Sequence, residues 1–165
     1  MEKKRFRILI AGVGNELRRD DGFGQAVIKE AARKDDISRF SDIIDFGQRL
    51  YDLLLKLKEY DVAIIVDAME GEGKPGDIYL LELEAGKRLD RESREFSNLD
   101  LNLNLHDTDL GIILTLGDTI GLPEKVYLVG CHPQDLSWGT GLTQVVQEKI
   151  GEVLELIHKI IKNYV

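Results

Sequence analysis

The sequence predicts an α/β fold: a single three-layer domain over residues 1–165, with a twisted, mostly parallel sheet of about five strands flanked by helices and one antiparallel excursion. Three observations carry this. Apolar runs at residues 8–11, 62–66 and 125–130 read as strands buried within a sheet. Most of the segments around them repeat apolar residues at helical spacing. Asp67 and the Cys131-His132-Pro133 group sit where two of those runs end, and in an open α/β sheet ligands bind at the carboxyl ends of the strands.

Ile8 to Ala11 make the first strand, and Gly12, Gly14 and Asn15 turn the chain before Asp20, Asp21 and Gly22 open a helix. Phe23, Val27, Ile28 and Ala31 share one face of that helix, with Lys29, Glu30 and Arg33 opposite, and the pattern ends near Lys34 and Asp35. Ser41 to Phe46 is a second strand closed by Gly47, with Asp45 near its end. Leu50, Leu53, Leu54 and Leu57 mark a second helix that exposes Lys56, Lys58 and Glu59. Val62 to Val66 then runs straight into Asp67. The segment Glu70 to Gly76 contains Gly71, Gly73 and Pro75, which makes it a loop, and Asp77 to Leu83 resumes as a strand. No helix fits between those two strands, hence the antiparallel excursion.

Ala85 to Asn98 is charged and aperiodic, as a surface excursion is. Leu99, Leu101, Leu103 and Leu105 alternate with polar residues in an extended segment that leads to His106. Leu110, Ile113 and Leu114 form a helical face that ends before Gly121 and Pro123. Lys125 to Gly130 is the last central strand, followed by Cys131, His132 and Pro133. Val146, Ile150, Val153, Leu154, Ile157 and Ile161 close the chain with a long amphipathic helix.

A chain of 165 residues can bury a core without staples, and its one cysteine forms no internal disulfide. The apolar run after Lys3, Lys4, Arg5 and Arg7 lacks a cleavage pattern, so the expected compartment is the cytoplasm. No stretch is long enough to span a membrane. A formal charge of -8, from 30 acidic against 22 basic residues, argues against a nucleic-acid or anionic-membrane surface and suits a cation or a basic segment.

Gly12 and Gly14 begin a dinucleotide fingerprint, but its third glycine would fall at Leu17, and no P-loop pattern is present. Two acids at a helix start also repel phosphate. There is no nucleophile elbow around a serine, and Cys131 reads best as a packed small residue. His158 and His132 carry no triad motif, although His132 stays in reserve because it follows a strand end. Asp21, Asp67 and His106, from separate segments, remain; carboxylate and imidazole donors together suit zinc or nickel and leave positions open on the ion. Taken singly, each has a plainer reading: Asp21 as a helix cap, Asp67 as a turn former, His106 as a helix-start residue.

Four blocks carry a family likeness: GVGNELRRDDGFGQAV from Gly12, VDAMEGEGKPG from Val66, His106 ahead of its leucine pattern, and GCHPQDLSWGTGLT from Gly130. In this order they resemble the hydrogenase maturation endopeptidases. The resemblance implies a twisted sheet flanked by helices and removal of a C-terminal extension from the large-subunit precursor of a nickel-iron hydrogenase after nickel insertion. It places the metal-contacting and catalytic positions at the second acid of the DD pair, the acid of VDA and the third-block histidine, which are Asp21, Asp67 and His106. Glu16 is not carried over. Asp45 with Gly47 corresponds to a short acidic strand-end segment, although DFGQ departs from the glycine-rich form usual there. The metal implied is nickel presented by the substrate, and other divalent ions such as zinc or cadmium are expected to fit the same donors. Two mechanisms stay open, a metal that polarises the scissile carbonyl or activates water and a substrate nickel that acts as a checkpoint. The competing class is a nickel-sensing chaperone or binding module that holds the precursor without cutting it.

Overall fold

The computed structural model describes residues 5–84 and 119–165. The strands β1 (Ile8–Val13), β2 (Asp42–Gly47), β3 (Val62–Ala68), β4 (Ile78–Glu84) and β5 (Lys125–Cys131) form one sheet in the order β2-β1-β3-β5-β4. β1 pairs in parallel with β2 and β3, β3 in parallel with β5, and β4 runs antiparallel to β5. The mixed sheet is therefore the one the sequence predicts. The helices are α1 (Phe23–Ala31), α2 (Asp35–Ser38), α3 (Leu50–Leu57), α4 (Gln144–Gln147) and α5 (Ile150–Lys162).

The unbroken apolar runs are explained by cover on both faces. Ile8, Ile10, Val62, Ile64, Val66 and Val129 pack with Phe23, Val27, Ile37 and Ile157 from α1, α2 and α5. Alternate residues of the same strands, Leu9, Ala11, Ala63, Ile65 and Leu128, pack with Leu53, Leu54 and Leu57 of α3. Side chains of a strand alternate between faces, so a strand with helices on both must be apolar at every position. Each fully buried Leu or Ile contributes on the order of 2 kcal/mol relative to exposure. No helix among the described residues is long and apolar enough to cross a membrane.

The structure departs from the sequence reading in several details. β1 continues through Gly12 and Val13, because Gly12 stays in register with Asp45 on one side and Val66 on the other. Asp20, Asp21 and Gly22 lie in a 3-10 turn, Arg19–Gly22, and α1 starts only at Phe23. The short α2 was not expected, and the closing helix is two: past α4 the hydrogen bonding tightens, with Lys149 N–H donating to Val146 O, before α5 begins. The surface excursion at 85–98, the extended segment with His106, and the helical face around Leu110 lie outside the described residues.

Strand order positions the site. The chain leaves β1 for β2 on one side, then crosses to β3 on the other, so β1 and β3 are the neighbours whose outgoing connections diverge. In open α/β sheets, ligands bind in the crevice outside the carboxyl ends of such a pair.

Candidate active site

Asp21 follows β1 and Asp67 lies in the last turn of the β3 ladder, opposite Gly130 of β5. Both are half-buried, and both border Gly14. Gly14 has φ of +130°, and a Cβ there would overlap the Asp21 carbonyl oxygen and come within 3.3 Å of Asp67 Oδ1. Only glycine meets both conditions. The next residue fixes the first acid: Asn15 N–H donates to Asp21 Oδ2 at 3.1 Å. Asp67 Oδ1 accepts the N–H of Ala68 at 2.8 Å. On the far side, Gly14 N–H donates to Gly47 O at 3.0 Å, joining the end of β1 to that of β2.

The neighbouring acid is used differently. Asp20 is fully buried, and its Oδ2 accepts N–H groups of Gln134 at 2.9 Å and Asp135 at 3.0 Å. Thr143 donates its N–H to Oδ1 at 2.7 Å and its hydroxyl to Oδ2 at 2.8 Å. The sequence reading took acids in this loop as better placed for chemistry than for packing; for Asp20 the structure reverses that. Its carboxylate clamps the loop after β5 onto the loop after β1. Arg19 supports the same junction: in the left-handed region with φ of 45°, it gives its N–H to Gly139 O and its guanidinium to Ser137 and Asp135. Leu17 and Trp138 are exposed on this rim, at 56% and 74%, with the Arg18 guanidinium 5.9 Å from the Trp138 ring centre.

The other candidates fall into structural roles. Asp45 Oδ1 accepts Gly47 N–H at 2.9 Å, closing the turn after β2. Glu16 is exposed and pairs with Lys29 at 3.1 Å. Cys131 is fully buried, and burial pushes its thiol up to about 12, which rules out a thiolate nucleophile near neutral pH. His132 is a latch for the glycine-rich loop after β3. Its Nδ1 lies 2.8 Å from the Tyr79 hydroxyl and 3.4 Å from Gly71 N–H, while Tyr79 accepts Gly73 N–H at 3.1 Å. An N–H can only donate, so Nδ1 is the acceptor and Nε2 of the neutral ring carries the proton. Burial holds the Tyr79 hydroxyl above its ordinary value, which keeps it protonated for that bond.

The structure thus brings Asp21 and Asp67 to one glycine, and His106 lies outside the described residues. Among the described residues, no group of three or more His, Cys, Asp or Glu side chains could hold a metal ion. A divalent ion bound here needs donors beyond these two carboxylates.

The model of the hydrogenase maturation protease family matches residues 26–160. A hydrogenase expression/formation protein, HupD, of Rhizobium leguminosarum is 30% identical over 160 residues, covering 96% of this chain and 75% of that protein. The hydrogenase 2 maturation protease of Escherichia coli is 30% identical over 153 residues, covering 92% and 88%. Among solved structures, a hydrogenase 2 maturation peptidase from a Thaumarchaeota archaeon superposes with a TM-score of 0.70 at 30% identity, covering 94% of this chain and 97% of the other. The hydrogenase maturating endopeptidase HybD from E. coli gives 0.72 at 26% identity, covering 95% and 93%. With the family match spanning most of the chain and both sheet and helices superposing on known peptidases, this protein belongs to the hydrogenase maturation protease family.

Proposed function

We propose that this protein is the endopeptidase that removes the C-terminal extension of a nickel-iron hydrogenase large-subunit precursor after nickel insertion. Asp21, Asp67 and His106 contact the nickel that the precursor carries. The observation that supports this reading best is the placement of Asp21 and Asp67 on Gly14 at the β1/β3 crevice. Two carboxylates are hard oxygen donors, too few alone to complete a coordination sphere and well suited to complete one that another protein presents. The nickel is then part of the substrate, and zinc or cadmium could take the same donors in its place.

This chain's residues contribute position. Asn15 N–H and Ala68 N–H each hold one carboxylate oxygen, and the Asp20 clamp sets the height of the Asp21 loop. Engagement of a fixed metal fixes the scissile bond beside it, which lowers the entropic part of the barrier without side-chain pockets for the residues around the cut.

The test is mass spectrometry of purified precursor, with and without inserted nickel, incubated with the wild type and with Asp21→Asn. The expected result is cleavage of loaded precursor by the wild type only. Equal cleavage of nickel-free precursor would remove the checkpoint, and full activity of Asp21→Asn would remove the assigned site. A stable complex with no loss of precursor mass would make the protein a nickel-sensing chaperone instead.

A further inference from the structure

Near the glycine that joins the two acids, folding leaves one polar group incomplete. Gln25, in the first turn of α1, is 6% exposed, and its amide oxygen is buried with no hydrogen-bond donor. An amide oxygen taken from water without a partner costs about 1–3 kcal/mol. A native chain seldom leaves such a deficit without a use for it.

The amide is aimed at the site. Its nitrogen lies 3.7 Å from where a Cβ on Gly47 would stand, and that point is 3.8 Å from Gly14 O. Gly14 and Gly47 carry no side chains and are hydrogen-bonded to one another, so the ends of β1 and β2 present a bare strip of main chain beside Gln25. The far side of the strip borders Asp67 Oδ1 and the Asp21 main chain.

We propose that Gln25 is a substrate-binding residue: its side-chain amide pairs with one main-chain amide of an extended peptide laid across Gly14 and Gly47. The nitrogen donates to a peptide carbonyl, and the oxygen accepts a peptide N–H when the amide turns toward it. A side-chain amide offers the same donor and acceptor as a peptide bond, so it grips main chain whatever the neighbouring side chains are. A bare glycine strip is the surface an extended main chain can approach closely. The proposal rests on the peptidase reading and adds where the precursor is held next to its scissile bond.

The experiment is steady-state cleavage of nickel-loaded precursor by the full-length wild type, Gln25→Met and Gln25→Leu, with thermal unfolding run on each. Both variants remove donor and acceptor at similar volume. Loss of one or two net hydrogen bonds should raise KM about fivefold to tenfold. At the same time kcat should stay within about twofold, and Tm should hold or rise, because the orphaned oxygen is gone. Unchanged KM with a raised Tm would show that the oxygen receives no substrate group, and the proposal would fall. A lower Tm with parallel losses in kcat would mark a purely structural role, with the same consequence. Wild-type protein that leaves the precursor uncut overturns the peptidase reading itself, and that result needs no variant to be seen.

Discussion

At Asp20 a carboxylate without solvent contact is supported by N–H groups of Gln134, Asp135 and Thr143 and by the Thr143 hydroxyl. Asn in its place keeps the shape, loses the charge, and turns an NH2 toward groups that can only donate. Asp20→Asn should therefore lower unfolding stability by about 3 kcal/mol, read from the urea midpoint. An unchanged midpoint would show that the clamp does not hold the two loops. Asp20 and Asp21 also mark a boundary of what was legible. The sequence places both acids in one turn, but nothing local separates them, because the donors that claim Asp20 lie 114 to 123 residues away. Asp21 was singled out by resemblance to a motif, and the unsatisfied oxygen of Gln25 left no trace in the sequence.

Elements were more legible than side-chain roles where burial alone dictates composition. β3 reads as VAIIV because helices cover both its faces, and α5 declares itself through Val153, Leu154, Ile157 and Ile161. Boundaries set by partners were less so: the 3-10 turn before α1 depends on Arg19 being held at positive φ by Gly139 O, a contact from the other end of the chain. The junction between α3 and β3 gives a test at this scale. Tyr60 is buried there and donates to Asp42 Oδ2 at 2.8 Å, tying the junction to the start of β2. Burial first, then that hydrogen bond, pushes its hydroxyl up to about 12. A pKa raised above the unfolded value of about 10 means the folded state holds the proton more tightly. The stability this contributes is complete below about pH 10 and lost as pH rises toward 12. Denaturant midpoints measured across this range should fall for the wild type and fall less for Tyr60→Phe. Parallel declines would assign the alkaline loss to other groups.

The molecule as a whole is stitched from its two ends. β5 is laid between β3 and β4, and among the described strands β4 pairs with β5 alone. The loop after β5 is the one that Asp20 grips. During synthesis the first half of the chain therefore emerges with β1, β2 and β3 available to pair, but with the Asp20 carboxylate lacking its donors. Contacts of such long sequence separation form late. Hydrogen exchange should find the amides of residues 18–21 protected in the full chain and unprotected in a fragment ending at Glu124, and equal protection in both would refute this order. The clamp thus acts as a timer: until the ribosome has released the last strand and the loop behind it, the nascent chain has no cutting edge to present to any neighbour.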